Sequence, residues 1–288
     1  SLTYDPNIEI TLEANPEEVT PELSREWLEI GFNRFSLGIQ AYDDGLLHLL
    51  GRQHSGSKAL KSVEVLADSG AANISVDAMY DIPDQSMAQW TRTLERLIEL
   101  PITHISLYNL TIEPHTLFFK YRHQLEPRRP AEEVSAQMYL KAVELLNSHG
   151  FKQYEISAFT KPGCHSIHNT GYWTGRPFIG LGPSAFSYWN GKRFRNIPNL
   201  NRYCSLLDKG SSPVDFEEKL EEEAALRELI AIRLRLLEGF SLSENISASI
   251  LKDIETGVDK GWLKKSGRHI ALTERGILFY DSLAAEII

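Results

Sequence analysis

The residues whose types and spacing point most directly to chemistry lie in His165-Ser166-Ile167-His168-Asn169-Thr170-Gly171-Tyr172-Trp173. His168 offers an imidazole nitrogen to a metal, Asn169 offers groups that can orient the ring, and Tyr172 and Trp173 offer aromatic surface to a flat apolar ligand. Those are the needs of a haem site, with His168 as the candidate iron ligand and Cys164 and His165 as second candidates for an axial position. The competing reading is structural. One histidine in an aromatic segment is more often packed or exposed than metal-bound, because metal sites usually show two or more spaced ligands. Cys164 and His165 read equally as a small buried hydrophobe and a surface histidine.

A second group consists of polar residues set in or at the ends of apolar runs. Glu13 stands in Leu12-Glu13-Ala14-Asn15-Pro16, where a carboxylate could accept hydrogen bonds from a ribose or simply be solvated. Gln40 follows Ser36-Leu37-Gly38-Ile39, and Asp77 interrupts Val76-Asp77-Ala78-Met79-Tyr80. A buried polar group needs a partner or a ligand, and a structural hydrogen bond satisfies Asp77 as well as a ligand does. Arg52, in Gly51-Arg52-Gln53-His54, suits bidentate recognition of a carboxylate or is an exposed cation at a helix end. Further on, the two glycines of Phe178-Ile179-Gly180-Leu181-Gly182-Pro183-Ser184-Ala185 let backbone approach a ligand or another loop. Their spacing is not that of a dinucleotide-binding turn.

The elements that must position these residues alternate between short β-rich runs and longer helical patterns, the rhythm of strand–helix units with parallel strands. Strands are expected at Ile8–Leu12, Arg34–Ile39, Asn73–Met79 and His104–Leu110. Helices follow from Thr20-Pro21 to Gly31, around Asp44–Leu50, over Ser57–Ser69 and near Ser86–Glu99, with polar residues at the strand C-termini, where α/β folds place ligands. A long helix over Ala131–His149 and one more strand, Gln153–Phe159, come next. Residues 160–200, rich in Gly, Pro, Asn and aromatics, read as an ordered functional loop region. From Phe216 a charged helix (Leu220–Leu237), helical Leu242–Gly261, a hairpin over Leu263–Leu272 turning at Ser266-Gly267 and a last helix from Thr273 suggest a small winged-helix-like α+β appendage. The expected divisions are 1–159, 160–215 and 216–288.

Composition narrows the partners. The chain has 288 residues, 42% hydrophobic and 24% charged, which is ordinary globular usage, so a packed core is expected. A net charge of −9, from 30 Lys+Arg against 39 Asp+Glu, argues against binding nucleic acid through a general basic field. Two cysteines, Cys164 and Cys204, make no disulfide framework and suit a reducing cytoplasm. The absence of a long apolar run or signal-peptide pattern adds the expectation of a soluble cytoplasmic protein without a transmembrane segment.

Taken in order, Leu12–Pro16, Arg34-Phe35-Ser36-Leu37-Gly38-Ile39-Gln40, Leu50-Gly51-Arg52-Gln53-His54, Val76–Pro83 and Ser106-Leu107-Tyr108-Asn109-Leu110-Thr111 resemble the oxygen-independent coproporphyrinogen oxidase family of radical-SAM proteins over nearly the whole chain. The resemblance implies a partial radical-SAM (β/α) barrel that binds S-adenosylmethionine beside a 4Fe–4S cluster, with Glu13, Gln40, Arg52, Asp77 and Thr111 as contacts of S-adenosylmethionine. Within that family, His168-Asn169-Thr170-Gly171-Tyr172-Trp173 is similar to the His-Asn-x-x-Tyr-Trp motif of the HemW branch, regarded as haem chaperones. It implies haem contacts at His168, Asn169, Tyr172 and Trp173, and a protein that accepts the haem.

The sequence departs from the pattern in three places. The Cys-x-x-x-Cys-x-x-Cys loop, the strand presenting it and the glycine-rich segment after the second strand are absent, and Ile8–Leu12 corresponds to the family's third strand. A shortened barrel is therefore expected, unable by itself to assemble the cluster or cleave S-adenosylmethionine, and prone to self-association through an open sheet edge. Asp81 stands where glycine is usual, and Phe186 where histidine is frequent. Two rival readings are a coproporphyrinogen III oxidase or dehydrogenase of porphyrin biosynthesis and a winged-helix nucleic-acid binder. Against the second, Lys252 and Lys260 are offset by Asp253, Glu255 and Asp259.

Overall fold

Arg34-Phe35-Ser36-Leu37-Gly38-Ile39-Gln40 alternates polar and apolar residues, the period of a strand with one face in a core. The computed structural model describes Asp5 and residues 8–288. It separates the chain into two units, Ser1–His165 and Ser166–Ile288.

In the first unit, β1 (Thr11–Ala14), β2 (Arg34–Gln40), β3 (Ile74–Tyr80) and β4 (His104–Asn109) are parallel neighbours in that order. Phe35, Leu37 and Ile39 of β2, Ile74, Val76 and Ala78 of β3, and Ile105 and Leu107 of β4 form one buried core face. Against it pack residues of α1 (Pro21–Ile30), α3 (Gly56–Asp68) and α4 (Met87–Ile98), while α2 (Asp44–Leu49) contributes Leu46 and Leu47 to a smaller cluster with Ile82. Thr20 caps α1, its hydroxyl accepting from the Leu23 amide at 3.2 Å, and Gly31 ends it at φ 111°, a left-handed turn that glycine enters without strain.

The first strand lies further along than Ile8–Leu12. The Asn33 side chain accepts from the Ile10 amide and donates to the Ile8 carbonyl, both at 2.8 Å, so a side chain holds this segment before the ladder begins at Thr11 opposite Arg34. Among the described residues β1 pairs with β2 alone.

After the short helices α5 (Leu117–Lys120) and α6 (Arg122–Leu125), α7 (Glu132–Ser148) leads to a second difference. Gln153–Phe159 is not one strand but the bend of an antiparallel hairpin, β5 (Lys152–Glu155) and β6 (Ala158–Thr160), with β6 antiparallel to β4. The turn at Ile156-Ser157 carries no Gly, Pro or Asn to announce it.

In the second unit the stretch expected as loop contains regular structure: α8 (Ile167–Trp173), β7 (Phe186–Trp189) and β8 (Lys192–Asn196). After α9 (Leu200–Asp208), β9 (Val214–Glu218) completes an antiparallel sheet in the order β7-β8-β9. Asn190-Gly191, both at positive φ, forms the two-residue turn of the β7–β8 hairpin, a signal present in the sequence but masked by its aromatic surroundings. The rest follows the winged-helix-like expectation: α10 (Glu222–Arg233), β10 (Phe240–Ser241), α11 (Ala248–Asp259), the hairpin β11 (Leu263–Ser266) and β12 (His269–Leu272), then α12 (Glu274–Leu278) and α13 (Tyr280–Ile287), with strand order β10-β12-β11. Among the described residues no helix is long and apolar enough to cross a membrane.

Candidate functional site

Parallel registers place Glu13 opposite Ser36, Ser36 opposite Ser75, Ser75 opposite His104 and Asp77 opposite Ser106. Residues paired across a sheet share a face, so the alternation that buries Leu37 and Val76 on one side gathers polar groups on the other. Burial drives the Asp77 carboxyl up to about 6, and the charge of Glu13 adds to this; hydrogen bonding from Ser106 and the charges of Arg34 and Arg52 oppose it. These interactions bring Glu13, Asp77 and Arg52 into one electrostatic neighbourhood.

Gln40 belongs to it as well. It sits after a register shift at φ 67°, and a Cβ on Gly38 would stand 2.9 Å from the Gln40 amide nitrogen and 3.6 Å from Arg52 Nη1. Gly38 thus leaves room for both side chains over the strand. Arg52 Nη1 also donates to Asn15 Oδ1 at 3.1 Å. Gln40 Oε1 is buried without a donor, as is Thr11 Oγ1. An unsatisfied acceptor, a carboxylate and a guanidinium on one sheet face are groups that a ligand bearing both amine and carboxylate needs. Thr111, beyond the end of β4, is exposed, and among the described residues no hydrogen bond joins it to this group.

Several polar residues here were not singled out by the sequence. His104 is buried, with Nδ1 2.8 Å from Ser75 Oγ and Nε2 3.0 Å from Tyr154 Oη. Burial first, then the charges of Arg34 and His165, push its pKa down to about 3, so the imidazole is neutral. Tyr108 is pushed up to about 12, first by burial and then by Asp77, Glu13 and Glu155. The period-two alternation of β4 was the signal available for both.

Asp81 adopts φ 65°, the left-handed backbone that glycine provides at no cost. Its carboxylate is buried and ion-paired with Arg129, which also donates to Asn109 Oδ1 at 3.3 Å. Nearby, Asp84 pairs with Arg128, so 126–130 is tied to the end of β3 by two ion pairs.

A 4Fe–4S cluster requires a set of thiolates. Cys164 is half-buried in the first unit, Cys204 is exposed in the second, and among the described residues no group of three His, Cys, Asp or Glu side chains could hold a metal. The described residues do not fit the cluster.

The His-Asn-x-x-Tyr-Trp residues lie on α8, not in a loop. Ser166 caps this helix, its hydroxyl accepting from the Asn169 amide at 3.2 Å. His168 and Tyr172, four residues apart, share a face: His168 Nε2 and Tyr172 Oη are 2.8 Å apart and the rings meet edge-on at 4.7 Å. Tyr172 then meets Phe178 edge-on, also at 4.7 Å. His168 is exposed, and Asn169 and Trp173 are half-buried. The Arg235 guanidinium stacks 4.3 Å over the Trp173 ring, whose Nε1 is buried with no acceptor. Of the second axial candidates, His165 meets Tyr154 edge-on at 4.5 Å and Cys164 Sγ lies 3.9 Å from the Pro162 carbonyl.

Behind α8 is a cavity of about 350 Å³ lined by Tyr172, Trp173, Phe178, Phe186, Tyr188 and Leu229 among others. Phe186, standing where histidine is frequent in the family, supplies apolar wall and packs against Phe216 at 6.4 Å. The two glycines beside it serve protein rather than ligand: a Cβ on Gly180 would stand 2.1 Å from the Phe186 carbonyl, and Asn196 Nδ2 donates to the carbonyls of Gly180 and Gly182 at 3.3 and 3.0 Å.

Residues 2–97 match the model of the radical SAM superfamily, and residues 220–279 that of the HemN C-terminal domain. The chain is 32% identical over 280 residues to the heme chaperone HemW of Bacillus subtilis, covering 94% of this chain and 73% of that protein. It is 30% identical over 284 residues to the heme chaperone HemW of Escherichia coli, at 96% and 73%. It is also 40% identical over 177 residues to radical S-adenosyl methionine domain-containing protein 1, mitochondrial, of Danio rerio, covering 62% of this chain and 40% of that one. Among solved structures, coproporphyrinogen III oxidase (HemN) of E. coli superposes with a TM-score of 0.83 at 18% identity, covering 98% of this chain and 70% of that one. At that identity the likeness establishes the fold alone: the α/β sheet and winged-helix-like appendage are those of a HemN-like radical-SAM protein.

Proposed function

Because this chain belongs to the HemW family of HemN-like radical-SAM proteins, we propose that it is a haem chaperone, binding haem at α8 and passing it to an acceptor protein. The observation that carries this reading is the pairing of exposed His168 with half-buried Tyr172 on one face of a helix whose motif also supplies Asn169 and Trp173. A histidine that ligates metal is normally oriented by a hydrogen bond at its other ring nitrogen. Tyr172 is placed for that role, holding Nε2, so that iron is taken by Nδ1. The aromatic surface of Tyr172 and Trp173 meets the macrocycle.

In the first unit, the residues that would hold S-adenosylmethionine are Gln40, through its unsatisfied carbonyl, Asp77 as an acceptor, Arg52 facing the carboxylate, and Glu13 for the ribose, with Thr111 at the rim. These residues would bind and orient that cofactor. The edge of β1 beyond its single partner is proposed as a site of self-association, read by sedimentation at increasing concentration. A soluble cytoplasmic setting fits haem handover between soluble proteins.

Titration with haem, followed at the Soret band, tests the central reading. The chain is expected to bind one equivalent, and His168→Ala to lose affinity or shift the band while His165→Ala does neither. Equal spectra and affinities for wild type and His168→Ala would remove His168 from the site.

A further inference from the structure

The cavity behind α8 is lined by two cations of different standing. Arg193 is committed, ion-paired to both Glu218 and Glu228. Arg176 is exposed, donates from Nη2 to the Ile167 carbonyl at 3.2 Å, and forms no ion pair with a carboxylate among the described residues. Its guanidinium is held in place against the helix: a Cβ on Gly171 would fall 2.3 Å from it, so only glycine there lets Arg176 lie along α8. The remaining walls are aromatic and aliphatic, from Phe178, Phe186, Tyr188, Leu226, Leu229 and Ile232. Trp173 adds an indole N–H, buried without an acceptor.

Such a site, apolar with one fixed cation at the rim, suits an apolar ring system that carries a carboxylate. Its volume of about 350 Å³ is near the lower end of ligand cavities, which run from about 300 to 1,000 Å³, so it takes part of a large ring and leaves the rest outside. Tyr172 ties the cavity to the motif, because it lines the cavity and also bonds His168. We propose that this cavity receives one apolar edge of a tetrapyrrole, that Arg176 binds a carboxylate of the same ligand, and that this grip does not require iron. The inference deepens the haem-chaperone reading and rests on it for the identity of the ligand class, but it assigns residues and an energy source that are independent of the His168–iron bond.

The test uses metal-free protoporphyrin IX and its dimethyl ester, titrated into the full chain and followed by quenching of tryptophan fluorescence and by the porphyrin's own emission. Wild type and His168→Ala are expected to bind protoporphyrin IX alike. Arg176→Gln is expected to weaken the diacid about tenfold or more, in keeping with loss of a charge-assisted hydrogen bond, leaving the diester unchanged, and Arg176→Lys to recover part of the loss. Ala225→Trp, at a half-buried position of α10 that lines the cavity, is expected to weaken both ligands by filling the space, with circular dichroism confirming the fold. If the folded wild type fails to bind protoporphyrin IX, or if Arg176→Gln and Ala225→Trp both bind as wild type does, the proposal is overturned. If porphyrin binding follows these variants while haem binding ignores His168→Ala, the cavity stands and the iron-ligand assignment falls.

Discussion

His168 Nε2 and Tyr172 Oη lie 2.8 Å apart across one turn of α8, with the rings edge-on. The hydroxyl fixes the imidazole plane, and the same tyrosine ring passes that constraint to Phe178. Tyr172→Phe keeps the aromatic surface but removes the orienting bond. Haem affinity is expected to fall about two- to tenfold, the worth of one hydrogen bond, and less than in His168→Ala. Soret titrations of both variants check this; wild-type affinity in Tyr172→Phe would mean the hydroxyl does not position the ligand.

Asp77 makes stability depend on pH in a defined direction. Its folded pKa, about 6, lies above the ordinary aspartate value of 3.8, so the folded state holds this proton more tightly than the unfolded one. The protonated side chain therefore favours folding at low pH, and that contribution is lost as pH rises through about 6. Asp77→Asn is expected to stabilise the chain at pH 8, by an amount on the order of 2 kcal/mol, and to do little near pH 4. Urea unfolding at the two pH values decides it, and a stabilisation larger at the acidic end would contradict the sign.

Gly180 faces the Phe186 carbonyl so closely that a methyl group cannot be accommodated by moving a side chain. Gly180→Ala is expected to cost about 2–4 kcal/mol, in the range of severe local strain, and to weaken porphyrin binding through β7. A melting curve unchanged from wild type would show that the strand shifts freely.

The Asp81–Arg129 pair is buried on the carboxylate side. Removing the cation alone leaves a desolvated carboxylate, so Arg129→Met is expected to cost about 1–3 kcal/mol. Asp81→Gly introduces a glycine that suits φ 65°, and in that background Arg129→Met should cost much less. A double-mutant cycle in urea measures the coupling; additive losses would show that the two side chains act separately.

The sequence by itself determined the elements with strong local signals. Thr20 and Gly31 bound α1 because a hydroxyl acceptor and a left-handed backbone are local needs, and period-two alternation located β2, β3 and β4 within one or two residues. Gln40 and Asp77 were legible as polar residues that apolar runs could not hold without a reason, whereas Glu13 and Arg52 read as well as a solvated strand-end acid and an exposed helix-end cation. Tertiary structure decided the rest. β1 moved because the Asn33 side chain, distant in sequence, occupies the backbone of Ile8 and Ile10. The hairpin of β5 and β6 formed without a turn signal because β4 offered an edge for antiparallel pairing. The motif became a helix because Ser166 caps it and Arg176 packs under Gly171. Arg176 and the cavity were invisible in the sequence because the residues that line it come from α8, β7, β8 and α10, and only their packing makes one concave surface.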